Sequence, residues 1–146
     1  MGLCNSKKSS ILDKDILDAD YKTAVPFTVQ IESGKVVKVY DGDTITIAAK
    51  LLYSKSQVYR FTVRLRGIDT PEIKGHCETE KAAAIVARDA LHDKIFGKIV
   101  TLKNVGTEKY GRILADIYLD NIHINRWLLD SKYAVPYDGG KKIEWK

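Results

Sequence analysis

The sequence predicts a β-rich α+β domain: a small five-stranded barrel with one helix between its third and fourth strands and a second, short helix after the fifth. Three observations lead there. Apolar and polar residues alternate in successive stretches of the first half, the period-2 signature of half-buried strands. An alanine-rich run near the middle carries helical spacing and is stopped by Gly97. A length of 146 residues, 45% hydrophobic and 29% charged, suffices for one globular core and is short for two domains.

Residues 1–24 read as an arm ahead of a folded domain at 25–146. Gly2 and Ser6 in Met1-Gly2-Leu3-Cys4-Asn5-Ser6 match the acceptor pattern for N-myristoylation, with Cys4 as a second lipid site. One acyl chain holds a membrane only marginally, so a stable anchor would draw on Cys4 or on Lys7 and Lys8. The alternative is an unmodified N-terminus. Ser10 with Asp13 resembles a helix start, and Ile11, Leu12, Ile16 and Leu17 would give one short apolar face, on a mobile spacer or on a short docked helix. Four lysines (Lys7, Lys8, Lys14, Lys22) cancel four aspartates (Asp13, Asp15, Asp18, Asp20) here, so the whole net charge of +5 lies in residues 25–146. A basic domain is compatible with a polyanionic partner such as nucleic acid.

From Pro26 the chain becomes extended. Phe27, Val29 and Ile31 alternate with polar residues, Ser33-Gly34 supplies a turn, and Lys35 to Tyr40 resumes through Val36, Val37 and Val39: a hairpin, or one long bent strand. After the Asp41-Gly42 turn, Thr44 to Ala49 alternates through Ile45 and Ile47; a polar loop over 50–57 leads to a third strand, Val58 to Arg66, with Tyr59, Phe61, Val63 and Leu65 on one face. Short connections make these three an antiparallel meander. Thr79 is the expected N-cap of the first main helix, whose apolar face is Ala83, Val86, Ala87, Ala90 and Leu91. Strands follow at Lys98–Leu102 and Arg112–Leu119, then a turn at Asp120-Asn121, and Asn125 is expected to cap a short helix bearing Trp127, Leu128 and Leu129. This order fits an OB-fold, a barrel that habitually binds oligonucleotides.

Cys4 and Cys77 make no disulfide framework, and Met1 to Ser10 lacks the continuous apolar region of a secretion signal. No apolar run approaches membrane-spanning length. The expectation is an intracellular monomer, membrane-associated only if Gly2 and Cys4 carry lipid. His76-Cys77 lacks a second Cys/His pair, so a structural zinc site is not expected.

The chemistry concentrates in Arg64-Leu65-Arg66-Gly67-Ile68-Asp69-Thr70-Pro71-Glu72, where guanidinium and carboxylate groups crowd the end of the third strand. Asp41-Gly42-Asp43-Thr44 upstream and Lys109-Tyr110-Gly111-Arg112 downstream belong with it. Hard carboxylate oxygens suit Ca²⁺ or Mg²⁺, arginine forks suit phosphate, and a nearby glutamate can orient or deprotonate water. Together they point to phosphodiester chemistry.

In motif and element order, over roughly residues 34–137, the chain resembles the staphylococcal nuclease (thermonuclease) family. The resemblance implies that Asp43 and Asp69 ligate Ca²⁺, joined by the backbone carbonyl of Thr70, with Asp41 a secondary acid nearby. It implies that Glu72 activates the attacking water, that Arg64 and Arg112 grip the scissile phosphate, and that Lys109 and Tyr110 contact a neighbouring phosphate. The implied activity is Ca²⁺-dependent endonucleolytic hydrolysis of DNA, RNA or both. The competing expectation is a binding module of the same fold that does not cut, either free or tethered to a membrane. Three departures stand out: a longer loop between the second and third strands, tyrosines (Tyr133, Tyr137) that do not align with the family's pair, and an end soon after Trp145 that suggests a short-form member.

Overall fold

The computed structural model describes residues 13–142 and Trp145; the motif at Gly2 and Cys4 lies outside them. Helix α1 (Lys14–Leu17) is a single turn capped by Asp13, whose carboxylate accepts from the Asp15 amide at 2.8 Å. Ile16 and Leu17 stay exposed, so they form no docked apolar face.

The expected turn at Ser33-Gly34 is not made. Residues 24–32 run without a regular ladder, although Ile31 is buried, and strand β1 begins at Ser33 and continues to Asp41. Gly34 is there for close approach, not for a bend: a Cβ on it would stand 3.0 Å from the Ala48 carbonyl oxygen and from Ile47 Cδ1. Strand β2 (Thr44–Lys50) pairs antiparallel with β1 from Lys35↔Ala48 to Asp41↔Thr44, and β3 (Val58–Leu65) pairs antiparallel with β2 from Thr44↔Arg64 to Lys50↔Val58. The expected meander is thus formed.

After the two-residue strand β4 (Ile68–Asp69), helix α2 spans Glu78–Ile95. Its cap is Cys77, whose Sγ accepts from the Glu80 amide, and not Thr79, which lies within the first turn. Its buried face is Ala84, Ala87, Leu91 and Ile95, while Val86 is exposed. The barrel selects this stripe because only it continues to Ile95, one turn beyond Leu91.

Strand β5 (Ile99–Thr107) is longer than expected, carried on past Leu102 by an irregularity between Lys103 and Gly106. At that irregularity Asn104 adopts φ 51° and its carbonyl accepts from Arg66 Nε at 3.2 Å and Nη2 at 2.7 Å. Strand β6 (Ile113–Leu119) pairs antiparallel with β5 and parallel with β3 through Val63↔Ile113, Arg64↔Leu114 and Leu65↔Ala115. With β5 also pairing to β1 at Ser33↔Thr101, the ring β1-β2-β3-β6-β5 closes. The result is the five-stranded OB-fold barrel, with β7 (Ile122–His123) added beside β6.

Helix α3 (Ile124–Asp130) has no side-chain cap, and Asn125 is buried inside it. Its Oδ1 accepts from the Ile117 amide at 2.9 Å and its Nδ2 donates to the Arg66 carbonyl at 2.8 Å. The residue joins α3 to β6 and to the end of β3, which uses its donor and acceptor better than a cap would. Strand β8 (Val135–Pro136) pairs with β4 through Ile68↔Pro136 and Asp69↔Val135. Inside the barrel, Val36, Ile45, Ile47, Val63, Leu65, Val100 and Ile117 meet Leu91 and Ile95 from α2 and Leu128 from α3. The charged segments are left at one end.

Candidate active site

Two turns and two strand ends meet at that end. The Asp41-Gly42-Asp43 turn joins β1 to β2, and Gly42 lets it press on its neighbours: a Cβ there would fall 2.9 Å from Thr70 Cγ2 and 3.0 Å from Ala87 Cβ. Asp43 is consequently buried and held on three sides. Its amide donates to Asp41 Oδ1 at 3.1 Å, its Oδ1 accepts from Thr44 Oγ1 at 2.9 Å, and its Oδ2 accepts from the Thr70 amide at 3.1 Å. Asp69, on β4, is 2% exposed.

Arg64 bridges these acids. Its Nη2 lies 3.4 Å from Asp43 Oδ2 and 3.4 Å from Asp69 Oδ1, while Nη1 donates to the Leu65 carbonyl at 2.7 Å. Burial next to the end of β3 leaves the guanidinium little freedom. Arg112, just before β6, is held differently: its Nε donates to Glu108 Oε1 at 3.1 Å and its Nη2 to Glu108 Oε2 at 3.3 Å. The same Glu108 oxygen Oε1 accepts from the amides of Tyr110 and Arg112, so one carboxylate shapes the whole turn.

Glu72 lies on the exposed loop before α2, where its amide and that of His76 donate to the Glu80 carboxylate. Lys109 and Tyr110 stand out on the opposite loop, the ammonium 5.0 Å from the phenol ring centre. The sequence-derived residues Arg64, Glu72, Lys109, Tyr110 and Arg112 all line one cleft of about 870 Å³. Asp41, Asp43 and Thr44 line an adjoining cavity of about 220 Å³ that shares Arg64, Glu72 and Arg112 with it. Asp69 and Thr70 line neither cavity; both are buried, Asp69 against Arg64 and Thr70 with its amide on Asp43.

Sequence reasoning missed three participants. Glu108 stands four residues before Arg112, but Asp116 stands four residues after it, so spacing alone does not choose between them. Tyr137 comes 5.9 Å from Arg64 Cζ, and Lys142 places its Nζ 2.8 Å from Glu72 Oε1 and 3.3 Å from Asp69 Oδ1. Both arrive through the β4–β8 pairing and the bond from the Tyr137 amide to the Gly67 carbonyl, contacts too short and too distant in sequence to leave a pattern.

Acidic and basic side chains interleave here: Asp41, Asp43 and Glu72 line the smaller cavity together with Arg64, Lys74, Arg112 and Lys142. Burial, and then the charge of Asp43, push the Asp41 carboxyl up to about 7. Burial also raises Asp69, against the opposing pull of Lys142. The Glu108 fork raises Arg112, and the Arg112 guanidinium lowers Glu108. Among the described residues no three His, Cys, Asp or Glu side chains converge to enclose a metal ion. Two buried carboxylates do converge on Arg64, and next to them the Thr70 hydroxyl is buried with no hydrogen-bond partner. Hard carboxylate oxygens beside an unpartnered hydroxyl oxygen fit a hard dication.

Comparison with known proteins agrees with this chemistry. The family model described as staphylococcal nuclease homologue matches residues 62–144, the stretch holding every site residue from Arg64 to Lys142. An uncharacterized protein of Bacillus anthracis is 32% identical over 90% of this chain and 60% of its own length. A protein of Escherichia coli named as an uncharacterized endonuclease is 33% identical over 72% of this chain and 61% of its own. A probable staphylococcal-like nuclease of Oryza sativa subsp. japonica is 29% identical over 89% of this chain and 21% of its own. The chain therefore spans about three fifths of the two bacterial relatives' length. By the family match, its barrel and its order of motifs, the chain belongs to the staphylococcal nuclease family.

Proposed function

We propose that this chain is a nuclease that hydrolyses phosphodiester bonds of DNA, RNA or both, with Ca²⁺ held by Asp43, Asp69 and Thr70. The observation that carries the reading is that Arg64 and Arg112 line the same two adjoining cavities as Glu72, beside the buried aspartates. A dication bound there supplies electrophilic activation of a phosphate oxygen. The protein's own residues do the rest. Arg64, fixed by Leu65 and the aspartates, and Arg112, fixed by Glu108, present donors to the phosphate oxygens and stabilise the charge that builds in the five-coordinate transition state. Glu72, exposed at the rim, takes the proton of the attacking water. The bond from phosphorus to the leaving oxygen breaks, and that oxygen takes up a proton. Lys109 and Tyr110, out on their loop, meet a neighbouring phosphate, consistent with an extended strand along the cleft.

The test is cleavage of single-stranded DNA and of RNA by the purified protein in Ca²⁺, in Mg²⁺ and in chelator. Cutting in Ca²⁺ that disappears with Glu72→Ser and with Arg112→Ala is the expected result. Binding without cutting in either metal would instead make the chain a nucleic-acid-binding module. A separate reading concerns the arm: acylation at Gly2, reinforced at Cys4, would tether this nuclease to a membrane of a eukaryotic cell. Gly2→Ala should then move it to the soluble fraction, and identical partitioning of both forms would dismiss the anchor.

A further inference from the structure

One cation that reaches both the exposed Glu72 and the buried Asp69 comes from residues beyond β8. Lys142 Nζ lies 2.8 Å from Glu72 Oε1 and 3.3 Å from Asp69 Oδ1, and its side chain is 48% exposed. The tail reaches this point by a folded path. Beyond β8, Tyr137 donates its amide to the Gly67 carbonyl and its hydroxyl to the Gly140 carbonyl at 2.8 Å, and the Gly140 amide donates to Asp138 Oδ1 at 3.0 Å. These bonds turn residues 138–142 back over the mouth of the site.

Asp69 Oδ1 thus faces two cations, and they are not equivalent. Arg64 is buried, braced by the Leu65 carbonyl and shared with Asp43, so it has nowhere to go. Lys142 is a compact point charge on a flexible stem, and among the described residues its ion pairs are with those two carboxylates. It also stands at the junction of the two cavities, which leaves the ammonium a place in the wider, phosphate-facing cleft once it lets go.

We propose that Lys142 is a tethered competitor of the divalent cation: its ammonium neutralises Asp69 and Glu72 while no metal is bound, and metal uptake expels it and loosens residues 138–142. The inference rests on the reading that a dication binds at Asp43 and Asp69. A dication at this carboxylate oxygen would repel the ammonium about twice as strongly as the Arg64 guanidinium does at like distance, so each weakens the hold of the other. The device keeps a buried acidic cluster compensated in the absence of metal and couples metal arrival to opening of the cleft that receives substrate.

Calorimetric titration of Ca²⁺ into metal-stripped wild type, Lys142→Met and Lys142→Arg tests this without any activity measurement. Lys142→Met should bind Ca²⁺ roughly three- to tenfold more tightly, the scale expected for removing one or two partly exposed ion pairs, and should melt lower than wild type in chelator but not in saturating Ca²⁺. Lys142→Arg should stay near wild type in affinity. Amide exchange over residues 138–142 should quicken when Ca²⁺ is added to wild type. If wild type binds Ca²⁺ and Lys142→Met binds it equally or more weakly, the competition is overturned and the metal reading stands. If neither protein binds Ca²⁺, both are overturned.

Discussion

Glu108 grips Arg112 with both carboxylate oxygens, Oε1 on Nε at 3.1 Å and Oε2 on Nη2 at 3.3 Å, while Oε1 also closes the turn through two backbone amides. In the proposed hydrolysis, a guanidinium oriented in this way would meet phosphate without reorganising. Glu108→Ala should therefore lower kcat by roughly 10–100-fold, the range for loss of an orienting partner, with Ca²⁺ affinity unchanged. Titration calorimetry beside steady-state cleavage separates the two; a parallel loss of metal binding would show that Glu108 supports the fold of the site and not Arg112 alone.

Arg64 carries two burdens that substitution can separate. It is the buried partner of Asp43 and Asp69, and breaking a buried pair from one side costs about 3–5 kcal/mol. Arg64→Ala should thus melt well below wild type in chelator, with most of that stability restored by Ca²⁺ as the replacement cation. Activity should not return with it, because a lost preorganised donor costs roughly 2.7–4 kcal/mol of transition-state stabilisation. Thermal melts and cleavage rates on the same samples decide: recovery of turnover along with stability would remove Arg64 from the phosphate.

The barrel was legible because its interior obeys one short-range rule. Val36, Ile45, Ile47, Val63 and Leu65 alternate with their neighbours, and each is fully buried. The acids and arginines were legible because they are costly to bury without a role, and Asp43, Arg64 and Asp69 do meet. What the sequence hid depends on tertiary competition. Gly34 looks like a turn residue until β2 is laid across it. Thr79 outranks Cys77 as a cap by propensity, yet the helix begins where the Glu72–Cys77 loop delivers it. Asn125 carries a cap residue's chemistry but spends it on β6 and β3. Tyr137 and Lys142 are set by a ladder of two residues per strand, below the length at which alternation can be read.

Asn125 leads to a prediction about stability alone. Removing its amide leaves the Ile117 amide, buried in the β6 ladder, without an acceptor, and leaves the Arg66 carbonyl without this donor. At about 1–3 kcal/mol per unsatisfied buried group, Asn125→Ala should cost roughly 2–6 kcal/mol. Urea unfolding should show a lower midpoint with an unchanged slope. Asn125→Asp keeps the acceptor but sets a buried carboxylate oxygen against the Arg66 and Ala115 carbonyls and Asp116, so at neutral pH it should be no more stable than Asn125→Ala; if both variants matched wild type, water would have to be serving those groups.

Asp41 gives the pH dependence. Its carboxyl stands at about 7 in the folded protein against an ordinary 3.8, raised by burial and then by Asp43. Between those two values the folded state keeps a proton that the unfolded chain has released, so stability falls as pH rises through the window and the full cost is present above about 7. Asp41→Asn removes the charge and retains an oxygen for the Asp43 amide. In chelator the variant should be more stable than wild type at pH 8, by an amount on the order of a few kcal/mol, with the gain shrinking towards nothing near pH 4. Saturating Ca²⁺ should narrow the gain at pH 8, because a dication compensates the wild-type charge that the substitution deletes. Urea midpoints at pH 4.5, 6 and 8, with and without Ca²⁺, measure all of this. A variant less stable than wild type at pH 8 in chelator would mean that Asp41 is already paid in hydrogen bonds and is not a strained charge awaiting a cation.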